Sequence, residues 1–168
     1  EVSHHEIGVI DKDGMMVSAT ETINTSFGSL AYSPVLGFML NNEMDDFSSP
    51  TGANVYGLRQ SDKNLPEPGK RPLSSMSPTI VEHNGVPILA LGASGGPRII
   101  SSVVQVLLAI LWFEYDPFDA LQRSRVHHQW LPDRVYVESQ YRDTVLESVL
   151  TEIGYEVKTR PNIGVVQV

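Results

Sequence analysis

The densest chemistry in the sequence is Asn41-Asn-Glu-Met-Asp-Asp46-Phe, where Glu43, Asp45 and Asp46 set three carboxylates within four positions. Such a run serves either as a solvated acidic turn or as an acceptor for a cation. The alternating oxygen ligands and bidentate Glu of a Ca²⁺ loop are missing, so a small ammonium group suits it better. Arg71-Pro-Leu-Ser-Ser-Met-Ser-Pro78 offers adjacent hydroxyls in a turn setting, which by themselves are those of an ordinary Ser-rich turn. Gly92-Ala-Ser-Gly-Gly-Pro97 precedes a helical run, and backbone N–H groups at such a place can point at a developing oxyanion. It lacks the Gly-Lys-Ser/Thr ending of a phosphate-binding loop. Asn24-Thr-Ser26 matches a glycosylation triplet, a frequent chance match. His4-His5 and His127-His128 lack the three- or four-residue spacing of helical metal ligands and read as structural or surface histidines.

The elements that must position these groups are legible from periodicity and turn chemistry. Glu6 to Ile10 and Met15 to Thr22 are β-prone runs joined through Asp13-Gly14, a hairpin signal. Val35 to Leu40 predicts a third short strand. Asn41 to Pro72 is rich in Asn, Asp, Ser, Gly and Pro and predicts a long loop over a site. Thr79 to Glu82 and Val86 to Leu91 flank Asn84-Gly85, a second hairpin. Behind Pro97, Ile99, Val103, Val106, Leu107, Ile110 and Leu111 recur at helical spacing to Phe113. Asp116-Pro117 starts a short helix to about Arg123, and Asp143 to Ile153 predicts another, closed by Gly154. Arg134 to Glu138, Glu156 to Arg160 and Ile163 to Val168 predict strands. Grouped hairpins with intervening helices favour an α+β layer architecture over a doubly wound parallel sheet.

The 168 residues fit a single domain with a real core, and 41% hydrophobic against 19% charged residues is the composition of a folded chain. Twelve Lys plus Arg against twenty Asp plus Glu give a net charge of −8, which argues against nucleic acid as a partner. With no cysteine, disulfide frameworks, zinc-thiolate sites and cysteine nucleophiles are excluded. Val103 to Phe113 is too short an apolar stretch to span a bilayer.

Taken together these segments resemble the small subunit of the γ-glutamyltranspeptidases (glutathione hydrolases), members of the N-terminal nucleophile hydrolases. The resemblance rests on Val17-Ser-Ala-Thr-Glu-Thr-Ile-Asn24, Phe27-Gly28, Leu40-Asn-Asn-Glu-Met-Asp-Asp-Phe-Ser48, Asn54-Val-Tyr-Gly57, Lys70-Arg-Pro-Leu-Ser-Ser-Met-Ser-Pro-Thr79, Gly95-Gly96 and His127-His-Gln-Trp-Leu-Pro132, ordered as in the family across nearly the whole chain. It implies a four-layer αββα sandwich completed by a large subunit of the same precursor. In such a precursor self-cleavage exposes an N-terminal Thr whose own α-amine acts as base. It further implies transfer of a γ-glutamyl group from glutathione or related amides through a γ-glutamyl-enzyme ester, without metal or cofactor. An extracellular or secretory location follows, with membrane contact only through the large subunit.

Matched residue by residue, Glu43 and Asp46 would hold the substrate's α-ammonium together with Asn24. Ser74 and Ser75 would bind its α-carboxylate beside an Arg of the large subunit. Two carboxylates facing one cation are each worth ~4 kcal/mol before desolvation at an effective dielectric near 20. Gly95 and Gly96 fall on the oxyanion hole, Thr22 on the Thr that hydrogen-bonds the nucleophile, and Tyr56 on the lid residue. The nucleophile departs from the pattern. Counting back from Asp13-Gly14 puts His4 there, and one inserted residue puts Ser3 there with His5 as the family His. Ser3 is then the nucleophile if cleavage exposes its amine, and a strand-end residue otherwise. The second case makes the chain a catalytically inactive homologue that keeps the pocket and acts by binding. The sequence also stops before the glycine-rich tail usual in the family, so a terminal strand is expected to be missing.

Overall fold

The computed structural model describes residues 2–49, 52–140 and 143–168, with side chains in the first strand from residue 4 onward. Strands β1 (Val2–Ile10) and β2 (Met16–Thr25) form the expected opening hairpin. Gly14 takes a φ of 86° at its tip, and the Asp11 carboxylate accepts the N–H groups of Asp13 and Met15 at 2.8 and 2.9 Å. At the far end Val2 pairs with Thr25 but His4 with Thr22, so Ile23 and Asn24 lie opposite the single residue Ser3. This bulge gives Asn24 a φ of 72°, which Asn tolerates better than most residues, and turns its side chain inward.

The expected strand at Val35 to Leu40 is mostly a turn. Only β4 (Phe38–Met39) pairs, with β3 (Tyr32–Ser33), while Val35 and Leu36 are 89% and 64% exposed at the tip. Gly37 at a φ of 76° breaks the extension, and the Ser33 hydroxyl accepts the Leu36 N–H instead of a neighbouring strand. The long segment that follows has two 3₁₀ turns, at Glu43–Asp46 and Asp62–Asn64. Side chains knit it together. Asn64 donates to the Asp46 carbonyl at 2.7 Å and accepts the Leu73 N–H at 2.9 Å, and the Ser48 hydroxyl accepts the Ser61 N–H at 3.0 Å.

Strands β5 (Thr79–His83) and β6 (Val86–Ser94) join through Asn84 and Gly85, both at positive φ as a two-residue hairpin turn requires. Helix α1 (Arg98–Leu111) follows the glycine turn and ends two residues before the expected Phe113. Helix α2 (Pro117–Leu121) is capped by Asp116, and β7 (Val126–His127) pairs antiparallel with β8 (Val135–Glu138). Helix α3 (Thr144–Glu152), capped by Asp143 on two N–H groups at 3.0 Å, carries the chain to β9 (Val157–Arg160), which pairs parallel with β8. Strand β10 (Val165–Gln167) then joins β6 to give the sheet β10-β6-β5.

Layering follows from the alternation along β6. Leu91 and Ala93 pack with Ile99, Val103, Val106 and Ala109 of α1 and with Val166 of β10, forming the main core. The other face of β6 carries Gly92, where an added Cβ would stand 2.1 Å from the Glu6 carboxylate of β1. Across this second interface the Ser18 hydroxyl donates to the Leu91 carbonyl at 2.9 Å. Helix α1, the sheet β10-β6-β5 and the hairpin β1–β2 therefore stack as three layers. Among the described residues no helix is long and apolar enough to cross a membrane.

Candidate active site

The end of the β1–β2 hairpin, the long segment after β4, the glycine turn and the start of α1 converge on one cavity of about 470 Å³. Asn24, Asp46, Tyr56, Ser74, Ser75 and Gly96 all line it. Asn24 is 1% exposed, which removes it from consideration as a glycosylation acceptor. Its amide donates to the Asn42 carbonyl at 3.2 Å and its side-chain oxygen accepts the Tyr56 hydroxyl at 3.2 Å. Thr22 stands one step behind, its hydroxyl oxygen accepting the Asn24 N–H at 2.8 Å while its backbone pairs with His4.

The acidic run divides by role. Asp45 accepts the Val55 N–H at 3.2 Å and so ties the loop that carries Tyr56. Glu43 and Asp46 instead share a hydrogen bond. Burial, then the Asp46 charge, then that bond push the Glu43 carboxyl up to about 7. Burial also raises Asp46, against the bond donated by Glu43, which favours its ionised form. Below about pH 7 the pair therefore holds one shared proton and about one negative charge, with Glu43 as the donor. A cation arriving at Asp46 would expel that proton. Burial and the Asp46 charge likewise push the Tyr56 phenol up to about 12, so it remains a hydrogen-bond donor.

The glycine turn is shaped by its neighbours. Gly96 has a φ of 62°, and a Cβ there would stand 2.8 Å from the Tyr56 ring. Gly95, at φ 149°, lies against the backbone of Ile163 and Gly164. The Ser75 hydroxyl donates to the Gly96 carbonyl at 2.9 Å and fixes the plane of that peptide. The Ser74 hydroxyl oxygen accepts the Met76 N–H at 3.2 Å and keeps its own proton for another acceptor. Ser3 is in β1, but its side chain lies outside the described residues.

Three histidines that the sequence reads as structural or surface, His4, His127 and His128, also line the cavity. His4 is 8% exposed, and burial, then Arg98, lowers its affinity for a proton. His127 is 4% exposed, its Nδ1 2.8 Å from the Ser101 hydroxyl and its Nε2 2.9 Å from the Gln129 side-chain oxygen. Because Gln129 donates its amide to the Leu131 carbonyl at 3.0 Å, its oxygen faces Nε2, which must carry the proton; Nδ1 then accepts from Ser101. Neither the doublet spacing nor any helical period marks these residues, because β7 and the first turns of α1 bring them together only in three dimensions. No cluster able to hold a metal ion occurs among the described residues.

Comparison with known proteins accounts for this arrangement. The family model described as gamma-glutamyltranspeptidase matches residues 3–168. The chain is 43% identical over 160 residues to the glutathione hydrolase proenzyme of Escherichia coli, covering 95% of this chain and 27% of that protein. It is 45% identical over 156 residues to Scoloptoxin SSD14 of Scolopendra dehaani, covering 92% and 26%. The chain thus spans about a quarter of the length of these relatives. A γ-glutamyltranspeptidase variant from Helicobacter pylori superposes with a TM-score of 0.90 at 44% identity, over 96% of this chain and 87% of that one. The stacked layers are those of the αββα sandwich, as the resemblance of the sequence implied. With its motifs in register from end to end, this chain belongs to the γ-glutamyltranspeptidase family of N-terminal nucleophile hydrolases.

Proposed function

We propose that this chain is the nucleophile-bearing part of an enzyme that transfers a γ-glutamyl group from glutathione or related amides to water or an amino acid. The observation that carries the reading is the single cavity in which Asn24, Asp46, Ser74, Ser75 and Gly96 meet, with a proton-sharing Glu43–Asp46 pair at its edge. These groups complement the two ends of a glutamyl moiety. The α-ammonium pairs with Asp46 and Glu43 beside the Asn24 amide, and the α-carboxylate accepts from Ser74, from an Arg of the large subunit, and from Ser75 once its hydroxyl turns from the Gly96 carbonyl. The γ-carbonyl then lies toward the glycine turn, beneath the ring of Tyr56.

In the reaction, cleavage of the precursor frees the Ser3 amine. The Ser3 hydroxyl attacks the γ-carbonyl while the amine takes its proton, and the tetrahedral oxyanion accepts from the N–H groups of Gly95 and Gly96. Collapse breaks the amide bond, the departing amine takes the proton, and a γ-glutamyl ester remains on Ser3. Water or an amino acid attacks that ester by the reverse sequence. Thr22 orients the nucleophile, and Tyr56 closes the site against solvent. The large subunit covers the outer faces of the hairpin and of α1. The assembled protein works outside the cell or in the secretory pathway, any membrane attachment being carried by the large subunit.

The test is N-terminal sequencing of the processed protein together with mass spectrometry after incubation with glutathione. A chain starting at Ser3 that gains a γ-glutamyl group is expected. Retained glutamate binding with no covalent adduct would instead establish a catalytically inactive, binding homologue.

A further inference from the structure

Deep in the fold, away from the cavity, Arg125 and Glu138 form an ion pair at 2.9 Å with side chains 7% and 1% exposed. A buried pair of this kind is a poor source of stability, because desolvating two charges offsets most of their attraction. Its hydrogen bonds show what else it holds. Glu138 Oε1 accepts the Ile163 N–H at 2.8 Å, and Arg125 Nη2 donates to the Gly164 carbonyl at 3.1 Å. The other carboxylate oxygen accepts the Arg125 N–H at 3.0 Å, which fixes the carboxylate's orientation. One ion pair therefore grips the N–H that enters the Ile163–Gly164 corner and the carbonyl that leaves it.

That corner is the wall behind the glycine turn. A Cβ at Gly95 would stand 3.1 Å from the Gly164 Cα and 3.3 Å from the Ile163 carbonyl oxygen. A Cβ at Gly164 would stand 2.7 Å from the Ser102 hydroxyl oxygen and 3.1 Å from the Ser94 carbonyl oxygen. From the next residue the chain pairs with β6, Val165 opposite Ser94. Any shift of Ile163–Gly164 is thus passed by backbone contact to Gly95, with no flexible side chain between them to absorb it.

We propose that Arg125 and Glu138 are positioning residues for the oxyanion-binding turn: the buried pair holds the Ile163–Gly164 corner, and the corner sets the direction of the Gly95 and Gly96 N–H groups. This rests on the reading of Gly95–Gly96 as the oxyanion hole. It gives the two buried charges a role beyond stability.

The test uses the assembled two-chain protein. Glu138→Gln keeps the shape and one acceptor oxygen but removes the charge. It is expected to lower kcat for a γ-glutamyl anilide about tenfold, per site labelled by a covalent glutamine analogue, with KM within about twofold, as misdirected oxyanion donors do. Amide hydrogen exchange should rise in residues 92–97 and stay unchanged in residues 6–20 of the hairpin. Arg125→Lys, which keeps the charge but not the reach to Gly164, should give the same local pattern and serves if the first variant fails to assemble. An unchanged kcat per labelled site overturns the proposal, as does exchange that rises equally in both segments, since a purely structural pair would loosen the whole fold. If the protein proves inactive, the exchange comparison decides alone. Gly96→Val separates the two readings. If it lowers kcat and Glu138→Gln does not, only the positioning role fails; if Gly96→Val leaves kcat intact, the oxyanion reading fails and this proposal with it.

Discussion

Two interfaces share strand β6, and they are built on opposite rules. On one side Leu91 and Ala93, 1% and 0% exposed, meet Ile99, Val103 and Val106 of α1, apolar against apolar. On the other side the buried residues among those described in the hairpin are His4, Glu6 and Asn24; the Thr20 hydroxyl donates to the Glu6 carboxylate, and the Ser18 hydroxyl shares its one proton between that carboxylate and the Leu91 carbonyl. The apolar residues of that hairpin point away: Ile7 is 44%, Val9 51% and Val17 48% exposed. A period-two strand can bury only one set of alternate residues, so committing the inner set to polar groups forces the apolar set outward. The first interface holds the fold. The second brings polar groups inward on the same strand face whose far end carries His4 to the cavity, with Thr22 one step behind, and leaves an apolar outer face exposed.

The largest expected effect tests the first half of this contrast. Leu91→Ala removes a fully buried side chain between β6 and α1, and should destabilise the assembled protein by about 2–5 kcal/mol. Denaturant titration of the assembled protein reads this. Val17→Asp, on the outer hairpin face, should instead leave the core transition in place and weaken association of the two chains, seen as dissociation on size-exclusion chromatography. Equal effects of both variants on the core transition would erase the distinction between the two sides of β6.

On the chemical side the sharpest single change is Gly96→Val. It places a β-branched residue at φ 62° and drives a Cβ toward the Tyr56 ring, 2.8 Å away in the present structure. In the active enzyme kcat should fall by about 2.7–4 kcal/mol equivalent, more than KM rises, because an oxyanion donor acts mainly in the transition state. Steady-state kinetics with a γ-glutamyl donor give both numbers.

A smaller effect is expected at the acidic pair, and it is asymmetric. Asp46→Asn removes the ionised partner, and should weaken glutamate binding by about 2 kcal/mol where that charge meets the α-ammonium. Glu43→Gln replaces a group that is only partly ionised near neutral pH, so its cost should be smaller. Calorimetry on both variants settles the order, and equal losses would return the pair to two independent carboxylates.

How much of this was legible in the sequence follows the same division. The α1–β6 side was readable, because helical spacing from Ile99 to Leu111 and the Asn84-Gly85 turn are local signals. Ordered motifs point to Asp46, Ser74, Ser75 and Gly96, which line one cavity with Asn24 and Tyr56, and to Glu43, which stands outside that lining and shares a hydrogen bond with Asp46. The polar inner face of the hairpin leaves no local signal, since a buried Glu6 is stabilised by Ser18 and Thr20, 12 and 14 residues away. His127 is illegible for the same reason: its partners Ser101 and Gln129 straddle a helix and a loop. Val35 and Leu36 misled because an apolar pair at a turn tip looks like a strand until Gly37 is seen to break it.

The smallest expected effect concerns pH, and its sign differs between the empty and the occupied site. Glu43 is held up at about 7, above its ordinary range, by burial and the neighbouring Asp46 charge. The folded pair therefore binds more protons than the unfolded chain between the ordinary carboxylate range and about 7, so stability falls as pH rises through that window. Because water reaches this half-exposed pair, the loss should be only about 1 kcal/mol. Binding of an α-ammonium runs the other way. The ligand favours two ionised carboxylates, so affinity should rise as pH climbs through about 7, with a proton released below it. Glu43→Gln should flatten both curves. Melting curves and glutamate titrations from pH 5.5 to 8.5 measure the two slopes, and parallel rather than opposed slopes in the parent protein would show that the cation does not meet this pair.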